Sequence, residues 1–289
     1  MAVAAIVESG LLKVTGDSEG AVEIVSKANN QLEITDNGVS IGTFDGVKSI
    51  SINLDASGNA NNQVTLKLDA TSIDRVMTNL GGGDNSFILA SGSIKGSLSY
   101  KGGSGKDNLE LAVGTSVGRN VYASLGNGLN TLKDGAAITG SLIASGGVDD
   151  DTVTILAEAT IGKQVDIALG NGANSLTLSG SVEKSLRVKT GSGNDTVAIE
   201  NSGYVGGSLT ANLGAGDNSL SHSGEIAGDL RVTSGTATDK VTIAPESIVG
   251  GKTIQRLGVG RNGGGHRGEG FDSNQGPKFT SNAGVRGRR

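Results

Sequence analysis

VDIALGNGANSLTLSGSVEKS (165–185) and LRVKTGSGNDTVAIENSGYVGGS (186–208) can be laid over one another along most of their length. Each passes through a short alternating apolar stretch, a Gly-rich turn carrying Asn or Asp, a second alternating stretch, and a small-residue-flanked Val. Moving outward, the same grammar recurs in 76–97, 98–120, 121–141 and 142–164 on one side, and in 209–229 and 230–252 on the other. After a first segment of 22 residues the lengths alternate between 23 and 21, so the true period is 44, a long coil followed by a short one. Self-similarity at this spacing is the signature of units that stack.

Period-two alternation puts every second strand residue on one face. Stacking the segments then lines up three columns of aliphatic residues. One is Leu98, Val121, Leu142, Val165, Leu186, Leu209 and Leu230; a second is Leu109, Leu132, Val153, Leu176, Val197, Leu220 and Val241. A third is Val117, Ile138, Ile161, Val182, Val205, Ile226 and Ile248. No segment can bury its apolar side alone, so each is stable only against its neighbours. The reading is an all-β fold, a parallel β-solenoid with coils of about 22 residues and a 44-residue double repeat. Eight coils at ~4.8 Å per rung span roughly 38 Å.

Composition agrees. The 289 residues include 49 Gly but no Cys, no Trp and only 2% aromatics. Glycine is thus more than twice its usual share of about 7%. Such a chain lacks the large aromatics of an ordinary enzyme core and, without Cys, any disulfide or thiolate chemistry. No run approaches the ~18 apolar residues of a membrane span. The opening MAVAAIVESGLL lacks a basic n-region and is not read as a signal peptide.

Three domains follow. Residues 1–49 read as an irregular β N-terminal cap, with Asp36-Asn37-Gly38 as a hairpin turn, and residues 50–252 as the solenoid. Residues 253–289 form a basic Gly/Arg-rich tail with ten Gly and a charge of +5, which leaves −10 on residues 1–252. The tail is expected to be disordered. It lacks repeated RGG units and interleaved aromatics, so nucleic-acid binding is not expected. Electrostatic contact with the acidic body, or an interrupted repeat, is the preferred account.

Two positions break an inward column. Among Leu89, Leu111, Ile155, Leu178, Ile199 and Ile243, the matching residues of two coils are Asp134 and His222. An unpaired buried charge costs several kcal/mol, so these are expected to sit at strand ends that fan into solvent.

The turns carry the one motif with a chemical mechanism. Gly102-Gly103-Ser104-Gly105-Lys106-Asp107-Asn108-Leu109-Glu110 fits G-G-x-G-x-D-x-U-x, with U a large apolar residue. Gly191-Ser192-Gly193-Asn194-Asp195-Thr196-Val197 matches all but its first glycine. Here the chain resembles the RTX, or hemolysin-type calcium-binding, repeat family of exported bacterial proteins. That resemblance implies a parallel β-roll whose turns hold calcium between coils with the motif Asp and turn carbonyls. The implied metal ligands are Asp107, Asp151, Asp195 and Asp239, with extra carboxylates at Asp149 and Asp217. It also implies a secreted or cell-surface location.

The departures from the family define a competing reading. Family coils are built of nine-residue units, and here every second coil places Asn where the Asp would be, at Asn85, Asn130, Asn174 and Asn218. Asn donates as well as accepts, so an Asn/Asp ladder can form without an ion. Both readings stand at this point. Neither His222 nor His266 has an evident catalytic companion, and no enzyme is expected. The functional reading is a structural or adhesive solenoid with cell-surface or polysaccharide contact. The competing class is a filament that self-associates through its end rungs. A polysaccharide-active β-helix enzyme or an ice-binding Thr/Ser face, such as Thr152-x-Thr154 and Ser175-x-Thr177, is a remote alternative.

Overall fold

The structure is a computed structural model describing residues 2–18, 20–55, 58–236 and 238–258. Nearly all of these residues are strand or turn, with one single-turn 3-10 helix at Ala28–Asn30. No helix among them is long and apolar enough to cross a membrane. The chain forms a parallel β-solenoid, each coil laid in register on the one before. The first column pairs as Leu98, Val121, Leu142, Val165, Leu186, Leu209 and Leu230, so the offset alternates between 23 and 21 residues.

A representative coil has three strands, Leu186–Thr190, Thr196–Ile199 and Tyr204–Val205. In the first two, residues alternate between fully buried and exposed or half-exposed. The inward set forms one continuous core from Val3 to Val232, aliphatic except for the ring pair Phe87 and Tyr100. Each fully buried Val, Leu or Ile contributes about 1.5–3 kcal/mol, and the contribution exists only because the next coil lies above it.

The parallel stack begins earlier than residue 50. Strand Leu11–Thr15 lies parallel to Ser49–Asn53, and Ala21–Lys27 lies parallel to the first part of Gln63–Asn79. The remainder of the N-terminal stretch is antiparallel. Ala4–Glu8 pairs with Leu11–Thr15, and the hairpin of Gln31–Asp36 and Val39–Phe44 pairs onto Ala21–Lys27. The hairpin turns at Asn37 and Gly38, both with positive φ (50° and 78°). Val3, Ala5, Val7, Ile41 and Phe44 close that end of the core.

The C-terminal end differs from the sequence reading in two ways. Strand Thr253–Arg256 pairs with Leu230–Thr233, and Leu257 packs against the core, so the stack runs past residue 252. The remainder of the expected basic tail, residues 259–289, lies outside the described residues. The third column ends on Val249 rather than Ile248, because Val249 is the residue in register with Ile226. Ile248 points outward and is 54% exposed.

Asp134 and His222 do not fan into solvent. Asp134 sits in register between Leu111 and Ile155, His222 between Ile199 and Ile243, and both side chains are fully buried. The parallel register places them as firmly as it places the leucines, because a coil cannot splay one residue without breaking the ladder on both sides. Asp134 Oδ1 accepts the Ala136 N–H at 3.0 Å, and Oδ2 has no partner. Burial pushes its carboxyl up to about 7, opposed only by that hydrogen bond. His222 Nε2 lies 3.1 Å from the Ile248 carbonyl, Nδ1 is unpartnered, and burial lowers the pKa of the ring.

Replacing Leu176, 1% exposed, with Asp should cost several kcal/mol and loosen the adjoining coils. The same change at the outward Thr177 should cost little. Urea unfolding of the two variants checks this, and equal tolerance would overturn the inward assignment.

Asp134 gives a pH signature. A folded-state pKa near 7 against about 4 in the unfolded chain means full stability below pH ~4, lost as pH rises to ~7, by about 4 kcal/mol. Asp134→Asn should therefore raise the melting temperature at pH 8 and change it little at pH 4. His222→Leu should act in the opposite sense, helping most at acid pH, where the wild-type ring would have to charge inside the core. Thermal melts across pH 4–8 read both.

Candidate functional site: the Asn/Asp ladder of the glycine-rich turns

The corner between the first and second strands of each coil must reverse the chain in a few residues while coils lie in contact above and below. Gly170 shows why it is glycine. Its φ is +81°, and a Cβ there would lie 2.0 Å from the Gly147 carbonyl oxygen of the preceding coil. Such tight turns leave backbone groups out of the strand ladder, and buried ones must find other partners.

Side chains supply them. Within each corner one Asn or Asp turns inward and its Oδ1 accepts the backbone N–H of its counterpart one coil earlier. The chain of bonds runs from Ser18 to Asn62, Asn85, Asp107 and Asn130, at 2.9–3.0 Å. It continues through Asp151, Asn174, Asp195 and Asn218 to Asp239, at 2.6–3.2 Å. All of these side chains from Asn62 onward are buried.

The asparagines do more. Asn174 Nδ2 donates to the carbonyls of Gly170, Asn171 and Gly172 and to Asp195 Oδ1, at 3.3, 3.1, 3.0 and 3.0 Å. Asn130 repeats this with Gly126, Asn127, Gly128 and Asp151 at 3.2, 3.3, 2.9 and 2.9 Å. Asn85 Nδ2 reaches Gly81, Gly83 and Asp107 at 3.1, 2.6 and 2.9 Å. Every neighbour of the nitrogen is an acceptor, which fixes the amide orientation, since its oxygen could not face four oxygens.

This geometry tests whether calcium fits the inner turn. A calcium ion needs six to eight oxygens directed at it. At Asn85, Asn130 and Asn174 the point where the turn carbonyls and the neighbouring Asp converge is filled by an NH2 group, whereas Asn218 Nδ2 reaches the Gly216 carbonyl, at 3.2 Å. At the Asp rungs Oδ1 is already held by N–H donors, while Asp195 Oδ2 has no partner among the described residues. Asp107 Oδ2 accepts Gly103 N–H at 2.8 Å and Asp151 Oδ2 accepts Gly147 N–H at 3.3 Å, in addition to the amide bonds on Oδ1. The inner turn is therefore a cage for an amide, and the residues there do not fit calcium. Among the described residues no three of Asp, Glu, His or Cys converge as a metal site.

Of the six candidate ligands, the ladder brings Asp107, Asp151, Asp195 and Asp239 into one line. Asp149 and Asp217 are exposed on the outer side of the corner and join a second row of bonds. Asp149 Oδ2 accepts Gly128 N–H at 2.9 Å; the Asp217 N–H donates to Asn194 Oδ1 at 2.9 Å, and its carboxylate accepts the Thr238 hydroxyl. Burial raises the carboxyls of Asp107, Asp151 and Asp195 against the pull of their hydrogen bonds. At Asp239 burial also pushes upward, but bonds from Ser234, Asn218 and Thr236 outweigh it and hold the carboxyl below its ordinary value. Sequence reasoning missed Ser18 and Asn62 as the start of the ladder. Asn62 is the second of the adjacent pair Asn61-Asn62, and nothing in its neighbours marks which one turns inward.

Asn174→Ala should destabilise by about 1–3 kcal/mol by orphaning buried carbonyls and one N–H. Asn174→Asp should be worse at pH 8 than at pH 4, because only a protonated carboxyl can donate into the cage. Denaturant unfolding at the two pH values checks the order, and an Asp variant indifferent to pH would contradict the cage.

Compared with protein-family profiles, with characterised proteins and with solved structures, the chain matches none. Its likeness to the calcium-binding repeat family therefore rests on the turn motif and the parallel stack, and at the inner turn it stops short of the ligand set.

Proposed function

We propose that this chain is a non-enzymatic β-solenoid scaffold from an exported bacterial surface or matrix protein, serving as a rigid stalk or adhesive body. The observation that carries this reading is the unbroken side-chain ladder beside the aliphatic core. Through Oδ1, the buried Asn and Asp side chains of the turns hold one coil on the next. An enzyme of the parallel β-helix kind would gather several Asp, Arg, Lys or His side chains on adjacent rungs of one exposed face. Asp134 and His222 instead stand four coils apart inside the core.

The filament alternative is weakened by the difference between the two ends. Strands Ala4–Glu8 and Val39–Phe44 cover one end with antiparallel pairing. At the other, among the described residues, Ile243 and Ile248 are 37% and 54% exposed. A filament built through end rungs needs both ends free to pair, and the antiparallel strands at the N-terminal end disfavour that.

A calcium titration followed by thermal melting and circular dichroism tests the scaffold reading. With amides in the turn cages, the β signal and melting temperature should be the same in chelator and in millimolar calcium. A rise with calcium that magnesium does not reproduce would restore ion-bound turns, since ligands of the folded state stabilise it by mass action. Turnover on a polysaccharide panel would overturn the non-enzymatic assignment.

A further inference from the structure

The first coils carry a basic groove on the corner opposite in charge to the Asp-bearing turns. It encloses about 660 Å3 beneath the turn at Ser9 and Gly10. Both turn residues have positive φ (51° and 82°) and line the groove. The Gly10 carbonyl is tied to the corner by the Lys48 N–H at 2.7 Å and the Ser49 N–H at 3.1 Å.

Successive coils bring Lys48, Arg75, Lys95 and Arg119 to this groove, all exposed. Backbone bonds hold the rungs in place: Asp74 N–H to Lys48 O at 2.6 Å and Arg119 N–H to Gly96 O at 2.9 Å. Among the described residues Asp74 is the single carboxylate in the lining and meets only Lys95, at 3.9 Å. Among the described residues Lys48, Arg75 and Arg119 have no carboxylate partner. Four cations thus converge on a body whose first 252 residues carry −10. A concentration of one sign in a concave site raises the local concentration of the opposite sign.

The remaining lining narrows the ligand. Ser9, Ser49 and Ser97 offer hydroxyls, and Leu11 and Met77 offer a small apolar strip. Among the described residues no aromatic side chain lines the groove to stack a nucleobase, and no apolar wedge is there to enter a bilayer. Rungs at ~4.8 Å spread the cations along a line, which suits a linear polymer with repeated anions. Arginine forks bind carboxylate and sulfate bidentately.

We propose that the groove binds a segment of an acidic polysaccharide, with Arg75 and Arg119 gripping its carboxylate or sulfate groups. This rests on the reading of the solenoid as an adhesive scaffold and assigns that scaffold a ligand and a place to hold it.

Isothermal titration of the whole chain tests it, using polygalacturonate as the carboxylate polymer, heparin as the sulfated one, dextran as the neutral one and polyphosphate as a polyanion without sugar. One or both acidic glycans should bind, weakening with added salt, while dextran should not. Arg75→Glu and Arg119→Glu should each weaken binding by about tenfold or more, the size of losing one charge-assisted contact. Lys106→Glu, on the exposed Gly-rich corner, should leave binding unchanged. These surface changes should not alter the melting temperature, which is measured alongside. Failure of both acidic glycans to bind, equal binding of polyphosphate, or an equal loss in the Lys106 variant overturns the proposal. The scaffold reading stands or falls separately, on the calcium and turnover measurements.

Discussion

Each coil of this protein buries its apolar side only against the coil before and the coil after, and that dependence organises everything else. A side chain such as Leu176 is covered because Val153 lies below it and Val197 above it, in parallel register. The chain must therefore return to the same lateral position on every circuit, within the error a β-ladder tolerates. The alternation of 23- and 21-residue coils is compatible with this, since the extra residues are absorbed at corners and the strands keep their phase. Where the chain must turn sharply, glycine is required because the neighbouring coil leaves no room for a Cβ.

The polar ladder answers the same constraint in the corners. Turning in so few residues strands N–H and C=O groups that cannot reach solvent. One inward Asn or Asp per coil satisfies them, and the two residue types are not interchangeable. An Asn can donate forward to an Asp, and the Asp can only accept, so a row of Asp alone would lack donors and set like charges ~4.8 Å apart. Alternation gives Asp107, Asp151 and Asp195 each an amide partner on the coil before. The 44-residue double repeat is thus matched by this alternation in the ladder. Asp134 and His222 show the constraint from its other side. They are held in apolar surroundings by register and respond through their protonation instead of moving outward.

With the inward groups committed to cohesion, chemistry is left to the outward corners. The exposed Asp149, Asp150 and Asp217 lie at the Gly-rich corner, while Lys48, Arg75, Lys95 and Arg119 lie around the groove of the first coils. A stiff body with functional groups displayed along its edges suits a scaffold that holds position while its surface makes contacts.

The architecture can be read from the repeat, because a repeat that stacks must repeat its inward residues. The aliphatic columns and the Asn/Asp positions from Asn85 to Asp239 were legible as periodicity, whereas Ser18 and Asn62 at the start of the ladder and Val249 at the end of the third column were not. Three things were decided only by the tertiary structure. The fate of Asp134 and His222 was one, since pattern alone cannot say whether an odd residue bends the strand or is buried by it. The placement of an amide at the turn centre was another. It depends on where Asn174 Nδ2 points relative to three carbonyls and the Asp195 of the next coil, a matter of ångströms that spacing cannot express. The basic groove was the third. Its cations fall at unequal intervals along the chain, so no period marks them, and they meet only because the N-terminal turn and successive coils converge on one corner in space.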